Sequence, residues 1–464
     1  MDRPNIIRGL LRSGSRTATE LCQRLEITQP TLQRELVAST MRDVISMGRA
    51  RATRYGLLRP LREGLNPERI PIHAVHGTAA ITLIGQLCPI YPSGYWFEDA
   101  LDARHSQYSP DLPWFMQDLR PQGYLGRNMV RALSTRGYPS DIRLWSADDV
   151  LHALCNTPEH DHIGNLLVGN VAAQLFTSES SKASRLAMSQ DQVTRLAAYR
   201  QTVEALGTGA IAGTLAAGEQ PKFIARVFGD NGTTIRSLIV KFSAPLSTEA
   251  GQRWADLLLM EATALSCVRE ILGVPAATAF WLTDGTRAYL EVERFDRVGA
   301  FGRNGVISLS TLDAEFVGAG SGWAGVVDAL VLEERLTPES AHLVAMLEGF
   351  SRLIGNTDRH LGNLSAMFGG VFPASLSPAY DVLPMIYAPT PENTYSGALG
   401  RGYLLAQFEA LDSLSQEDRA LVESAAVQYW TQCAQDERLS ESMRSYSREN
   451  GANLTSVGQG RGHA

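Results

Sequence analysis

The sequence predicts an α+β protein of several domains, and three observations predict it. The 464 residues exceed what one ordinary core holds, so about three units are expected at roughly 100 to 200 residues each. The first 62 residues follow helical periodicity and draw all their positive charge from arginine. Beyond about residue 66, strand-like runs, glycine-rich turns and long amphipathic stretches alternate.

Composition narrows the classes. Hydrophobic residues at 44% and charged residues at 20% are those of a water-soluble globular chain. No run approaches the roughly 18 to 20 apolar residues of a membrane span, and the Met1-Asp2-Arg3-Pro4 start has no apolar signal core, so no membrane partner and a cytoplasmic location are expected. Cys22, Cys88, Cys155, Cys267 and Cys433 are odd in number, scattered and without a C-x-x-C pair, which argues against a disulfide framework and a zinc site. The net charge of −7 hides a split: residues 1–62 hold twelve Arg against five acids, leaving −14 on the remainder. Only the N-terminal segment suits a polyanion.

That segment predicts a helix-turn-helix, DNA-binding domain over residues 1–62. Ile6, Ile7, Leu10 and Leu11 lie at helical spacing, Ser13-Gly14-Ser15 ends the run, and Thr17 is placed to cap a second helix carrying Leu21 and Leu25. Thr28 then caps a third helix with Pro30 in its first turn and Leu32 and Leu36 inward. Gln29, Thr31, Gln33 and Arg34 are left for a DNA groove. Val44 to Leu58 reads as a wing, with Arg49, Arg51 and Arg54 around an Arg-Tyr-Gly turn as phosphate contacts. The plainer reading is a three-helix unit with a solvated arginine face, packed on its neighbour.

Residues 66–175 predict a small mixed α/β subdomain with strands at His73-Ala74-Val75 and Ala80 to Ile84. Its His152, His160 and His162 lack a partner at ligand spacing and read as surface-loop residues.

From residue 207 the sequence carries chemistry. Gly207, Gly209, Gly213 and Ala217-Gly218-Glu219-Gln220-Pro221-Lys222 make a glycine-rich loop whose N–H groups can surround a phosphate, with Lys222 as countercharge; a bare linker is the alternative. A hairpin follows: Phe223 to Phe228, a Gly229-Asp230-Asn231-Gly232 turn, and Ser237 to Phe242. Lys241 ends its second strand, where a phosphate-pairing lysine belongs. On the helix predicted over Trp254–Leu272, Glu261 can pair with that lysine, while Asp256 and Glu270 lie on the same helix. The strand Ala288 to Arg297 suits a segment between two lobes, with backbone able to bond adenine.

The most specific stretch is Ile354-Gly355-Asn356-Thr357-Asp358-Arg359-His360-Leu361-Gly362-Asn363. An Asp with an Asn five residues later is the spacing of a kinase catalytic loop, the Asp taking the acceptor hydroxyl's proton and the Asn holding magnesium. Asp381, eighteen residues after Asn363, supplies a second metal carboxylate. Each piece alone is explicable as an Asx turn or a capped loop; their order together is not.

With these residues in place the chain resembles the HipA-like kinases, across about residues 70–440. The matching stretches are Ala217 to Phe223, Val240-Lys241-Phe242, Glu293-Arg294-Phe295-Asp296-Arg297, Gly355 to Asn363 and Tyr380-Asp381. A fused helix-turn-helix is similar to the single-chain YjjJ branch. The resemblance implies a two-lobed protein-kinase-like fold, with an N-lobe over 190–300 and a helical C-lobe over 301–444; the polar, Gly-rich composition of 445–464 predicts a flexible tail. It implies ATP and Mg2+ as cofactors, a serine/threonine protein acceptor and growth inhibition. Asp358 is then the catalytic base, helped by Lys241 and Asn363, and Asn363 and Asp381 the metal ligands. ATP contacts fall on Ala217, Gly218, Glu219, Gln220, Lys222, Lys241, Glu293, Arg294, Phe295, His360, Asn363, Tyr380 and Asp381. An antitoxin and, through the DNA-binding module, a homodimer are further partners it admits. The sequence departs from the family at Leu215, where a regulatory loop serine usually stands, and at Gly362, where a longer side chain is usual. The competing expectation is a DNA-binding transcriptional regulator whose kinase-like domain senses a nucleotide with little catalysis.

Overall fold

The computed structural model describes residues 2–156, 161–179, 187–207, 220–229, 232, 234–320, 322–389 and 395–461. The chain separates into two compact units, one holding residues 1–121 and 126–181 and the other residues 122–125 and 182–464. The architecture is α+β and multidomain.

In the first unit, helices α1 (Arg3–Arg12), α2 (Ala18–Leu25) and α3 (Gln29–Val37) surround Ile7, Leu11, Leu21 and Leu32, all fully buried. The boundaries follow from local chemistry. Thr17 and Glu20 form a reciprocal capping box at the start of α2, with Thr17 N–H donating to Glu20 Oε2 at 2.7 Å. Thr28 precedes α3 in extended conformation and Pro30 occupies its first turn, although the Thr28 hydroxyl pairs with Thr31 Oγ1 rather than a backbone amide.

A short strand β1 (Arg16–Thr17) joins the hairpin of β2 (Val44–Met47) and β3 (Arg54–Leu57). Arg54-Tyr55-Gly56 is therefore strand, not turn; the chain reverses earlier, through Gly48 at φ +77° and a helical turn over Ala50–Ala52. A Cβ on Gly48 would stand 2.9 Å from the Ala52 carbonyl oxygen, so only glycine fits that corner.

The same unit contains a five-stranded antiparallel sheet in the order β7-β6-β5-β4-β8, formed by β4 (Ile70–Val75), β5 (Ile81–Pro89), β6 (Tyr95–Asp99), β7 (Gln107–Ser109) and β8 (Leu166–Val168). Helix α4 (Gly123–Ser134) and helix α5 (Ala147–Asn156) cover its core. Ile45 and Met47 of β2 pack with Leu58, Cys88 and Ile90, and Arg59 donates to Asp148 at 2.5 Å, which fixes the hairpin to this sheet. His152 belongs to α5 rather than a surface loop, its Nδ1 2.6 Å from the Tyr138 hydroxyl. His160 lies outside the described residues.

In the second unit, the hairpin of β9 (Lys222–Phe228) and β10 (Ile235–Phe242) joins β11 (Ala279–Thr283) and β12 (Ala288–Glu293) in an antiparallel sheet ordered β11-β12-β10-β9. Period-two alternation sends Phe223, Ala225, Val227, Leu238, Val240 and Phe242 to one face, against Leu196, Tyr199 and Val203 of α6 (Gln192–Leu206). Helix α7 (Glu249–Glu270) packs its Ala255 and Leu258 with Ala288, Leu290 and Val292 of β12.

The remainder is mainly helical: α8 (Trp323–Leu332), α9 (Pro338–Leu353), α10 (Arg401–Glu409), α11 (Gln416–Gln435) and α12 (Glu441–Arg461). The last of these corrects the expectation of a flexible tail over 445–464. Met443, Ser447, Asn450, Leu454 and Val457 recur at three- and four-residue spacing and are buried. Asn450 accepts from the Leu399 amide at 2.6 Å and donates to the Tyr387 hydroxyl at 2.9 Å, so a polar residue anchors a face that composition alone reads as solvated.

Candidate active site

The site grows from strand register. Lys222 and Lys241 are Cα partners across the β9-β10 hairpin. Phe223, Val240 and Phe242 take one face of the sheet, so alternation turns both lysines to the other. There Lys241 meets Glu261 of α7, with Nζ 2.6 and 2.7 Å from the two carboxylate oxygens. Of the three acids open to this role, Glu261 is the one paired. Asp256 accepts from Ser440 N–H at 2.9 Å and Ser440 Oγ at 2.6 Å, and Glu270 accepts from Ser266 Oγ at 2.7 Å.

Lys241 also bonds Asp381 Oδ1. Asp381 sits in left-handed backbone at φ +54°, two residues beyond Ala379, whose N–H and C=O bond Pro275 and Ala277. Burial opposes the charge on Lys241, but Asp381 and Glu261 overcome it and hold the ammonium above the ordinary lysine value. Burial likewise pushes the Asp381 carboxyl up, yet Lys241 and Lys222 outweigh it and bring the pKa to about 2. Glu261 is raised by burial, which its lysine only partly offsets. Lys222 is lowered by burial, against the pull of Asp381.

The loop after α9 supplies the exposed half. Gly355 at φ +79° ends the helix, and a Cβ there would press within 3.0 Å of Ile386. Asn356, fully buried, accepts the Asp358 N–H at 3.1 Å, so the Asx turn is present as well. Asn363 Nδ2 donates to the Asp358 carbonyl at 2.8 Å, closing the loop across five residues. Asp358 itself keeps half its side chain in solvent, with His360 Nε2 4.0 Å away. His360 accepts from Gly362 N–H at 3.0 Å, and a Cβ on Gly362 would stand 3.0 Å from that ring. Glycine at 362 therefore leaves room for the His360 ring.

Tyr380 reaches Gly362 O at 3.0 Å and Ser365 Oγ at 2.7 Å and packs against Phe295, ring centroids 5.7 Å apart. The strand with Glu293 ends there, and Arg294, buried, donates to Asp296 at 2.9 Å. Gln220 donates to the Phe242 carbonyl at 2.5 Å. Ala217, Gly218 and Glu219 lie outside the described residues.

Sequence reasoning missed Glu348, Arg352 and Arg359, which line a cleft of about 340 Å³ beside Asp358. Arg359 stands within the motif and Arg352 two residues before its start, the only signal available.

In the N-terminal helices, Gln29, Gln33 and Arg34 of α3 and Arg49 and Arg51 of the hairpin turn are exposed, and Thr31 is half-buried. Gln33 is engaged by the Tyr55 hydroxyl at 2.8 Å, and Arg54 by Ser15 Oγ at 3.0 Å and Ser15 O at 2.7 Å.

Among the described residues, no group of three or more His, Cys, Asp or Glu side chains is arranged to hold a metal, and no helix is long and apolar enough to cross a membrane. The donors at this site are instead one carboxylate, Asp381, and the amide oxygen of Asn363. Both are hard oxygen ligands of the kind magnesium takes alongside phosphate and water. They fit such an ion once Lys241 releases Asp381.

Comparison with known proteins agrees with this reading at the family level. Residues 66–177 match the YjjJ-like toxin middle domain, and residues 214–441 the HipA-like C-terminal domain. Toxin YjjJ of Escherichia coli strain K12 is 37% identical over 442 residues, 95% of both chains. Among solved structures, the Shewanella oneidensis MR-1 toxin–antitoxin complex of HipA, HipB and operator DNA is 16% identical to this chain, at a TM-score of 0.45 over 84% of this chain and 96% of that one. The Helicobacter pylori proinflammatory kinase CtkA is 13% identical, at a TM-score of 0.33 over 49% of this chain and 89% of that one. On the full-length relative and the two domain matches, the chain belongs to the YjjJ branch of the HipA-like toxin family.

Proposed function

We propose that the chain is a toxin acting as an ATP- and magnesium-dependent serine/threonine protein kinase, with a two-lobed kinase-like second unit and an N-terminal winged helix-turn-helix that binds DNA. The observation that carries the enzymatic reading is Lys241, bonded to Glu261 on one side and to Asp381 on the other, on the face that also receives Lys222. Two cations and two carboxylates gathered under a hairpin suit a polyphosphate, which pairs with the lysines as Asp381 is freed. Asp381 and Asn363 would hold magnesium, which would neutralise charge on the triphosphate. Phe295 and Tyr380 offer ring faces, and the end of β12 a backbone edge, for adenine.

Asp358 is exposed, with the His360 ring 4.0 Å away, so an acceptor hydroxyl can approach it directly. As the hydroxyl oxygen bonds the γ-phosphorus, the bond to the β,γ-bridging oxygen breaks, ADP leaves, and Asp358 takes the hydroxyl proton. The Asn363-to-Asp358 bond positions this carboxylate without consuming its oxygens.

The test is labelling of a cytoplasmic extract with radioactive ATP and magnesium, with Asp358→Asn as control. A band labelled by the parent and not by the folded, ATP-binding variant supports the kinase. If both bind ATP and neither labels, the nucleotide-sensing regulator replaces it.

A further inference from the structure

The cleft beside Asp358 carries charges that the phosphotransfer machinery does not use. Glu348, buried at the middle of α9, is fully committed: one carboxylate oxygen accepts from Arg352 Nη2 at 2.6 Å and Nε at 3.2 Å, the other from the Ala324 amide at 2.9 Å. Arg359 has no carboxylate within ion-pair distance among the described residues and bonds only the Asn356 carbonyl. Burial and the neighbouring Arg352 both work against its charge. The cleft is thus lined by two guanidiniums and two carboxylates, of which Arg352 and Glu348 pair with each other while Arg359 keeps no carboxylate partner among the described residues. Gly322 forms another wall, where nothing lies within 4 Å of an added Cβ.

An arginine without a carboxylate partner at an open cleft can take an anion with planar or tetrahedral oxygens. The cleft also contains Asp358, so whatever occupies it lies next to the hydroxyl being phosphorylated. Lys222 and Lys241 already answer the nucleotide's phosphates, which leaves the acceptor as the source of the anion. We propose that Arg359 recognises an acidic side chain of the acceptor protein, close in sequence to the serine or threonine that is modified. This rests on the kinase reading above and adds the chemical class of its substrate: an acidic acceptor segment.

The test uses the full chain with magnesium and ATP, and serine peptides that differ only in carrying Asp, Asn or Lys at each position around the serine. At one position Asp is expected to raise kcat/KM over Asn by about tenfold, through KM, the size of one charge-assisted contact. Arg359→Gln brings that ratio close to one, and Arg359→Glu moves the preference to Lys. The inverted preference shows that the variant is folded and reading charge.

Labelling with no preference between Asp and Asn overturns the proposal and leaves the kinase standing. So does labelling of extract proteins with no peptide accepted, or a rise in the KM for ATP rather than for the peptide. If the parent labels neither peptides nor extract, the kinase reading itself falls and takes this one with it.

Discussion

Lys222 and Lys241 stand opposite each other on adjacent strands, yet only Lys241 has carboxylates in bonding range. Lys222 is buried enough to be pushed below the ordinary lysine value, with Asp381 only partly restoring it. A bound triphosphate favours the ammonium form, so nucleotide binding takes up a proton wherever free Lys222 has lost one. ATP affinity is therefore expected to fall as pH rises toward the ordinary lysine range. Lys222→Arg removes the dependence, since arginine stays charged. Calorimetry in buffers of different ionisation heat reads both the affinity and the proton uptake.

Replacing Lys241 with Met leaves Glu261 and Asp381 without their shared cation in a buried site. Phosphoryl transfer is expected to drop by about 100-fold or more, in the range found when one preorganised electrostatic contact is removed. Glu261→Gln keeps the shape and removes one carboxylate, so it is expected to lower kcat more than it weakens ATP binding. Steady-state kinetics beside direct ATP titration separate the two.

The depressed Asp381 carboxyl makes a statement about acid stability. Its folded pKa of about 2 lies below the unfolded value of about 3.9, so the stabilisation is complete above the unfolded value and is lost as pH falls through the folded one. Glu261, raised by burial, acts in the opposite sense and loses its penalty as it protonates. Asp381→Asn is expected to flatten the acid limb between about pH 4 and pH 2, measured by denaturant unfolding at each pH.

Ser440→Ala strips the hydroxyl's hydrogen bond from the buried Asp256 carboxylate and leaves the backbone one, and a loss of about 1 to 3 kcal/mol is expected. Deleting residues 441–461 is expected to do more, because it uncovers Tyr387 and the face of α11 that carries Trp430. Thermal unfolding monitored by tryptophan fluorescence ranks the two.

If the N-terminal helices bind DNA, Arg49→Ala and Arg51→Ala should each weaken binding evenly across sequences and reduce the salt slope by about one. Arg54→Ala should matter less as a phosphate contact, since Ser15 already occupies its guanidinium. Gln33 is similarly engaged by Tyr55, so Gln29 and Thr31 are the better candidates for base discrimination. Electrophoretic mobility shifts at several salt concentrations check each point.

Elements with strong local signals were legible in the sequence: the Thr17 cap, the β9-β10 hairpin, Lys241 on its strand, and the Asp358 to Asn363 spacing. Each depends on neighbours within a few residues. Glu261 could be narrowed only to one of three acids, because the choice depends on how α7 rotates against the sheet. Helix α12 escaped because its buried face mixes Ser447 and Asn450 with Met443, Leu454 and Val457, and partners for the polar ones come from Leu399 and Tyr387. The unpaired Arg359 escaped for the same reason: a missing carboxylate is visible only once the cleft exists.

The bond between Asp256 and Ser440 spans 184 residues and joins the helix that carries Glu261 to the start of the last helix. During synthesis, α7 leaves the ribosome long before its partner does, so this tie is made only when the chain is nearly finished. A ribosome-held chain ending before residue 440 is expected to show α7 open to protease and to lack ATP binding. For a toxin, that order of assembly keeps the site incomplete while the molecule is still attached to the machinery making it.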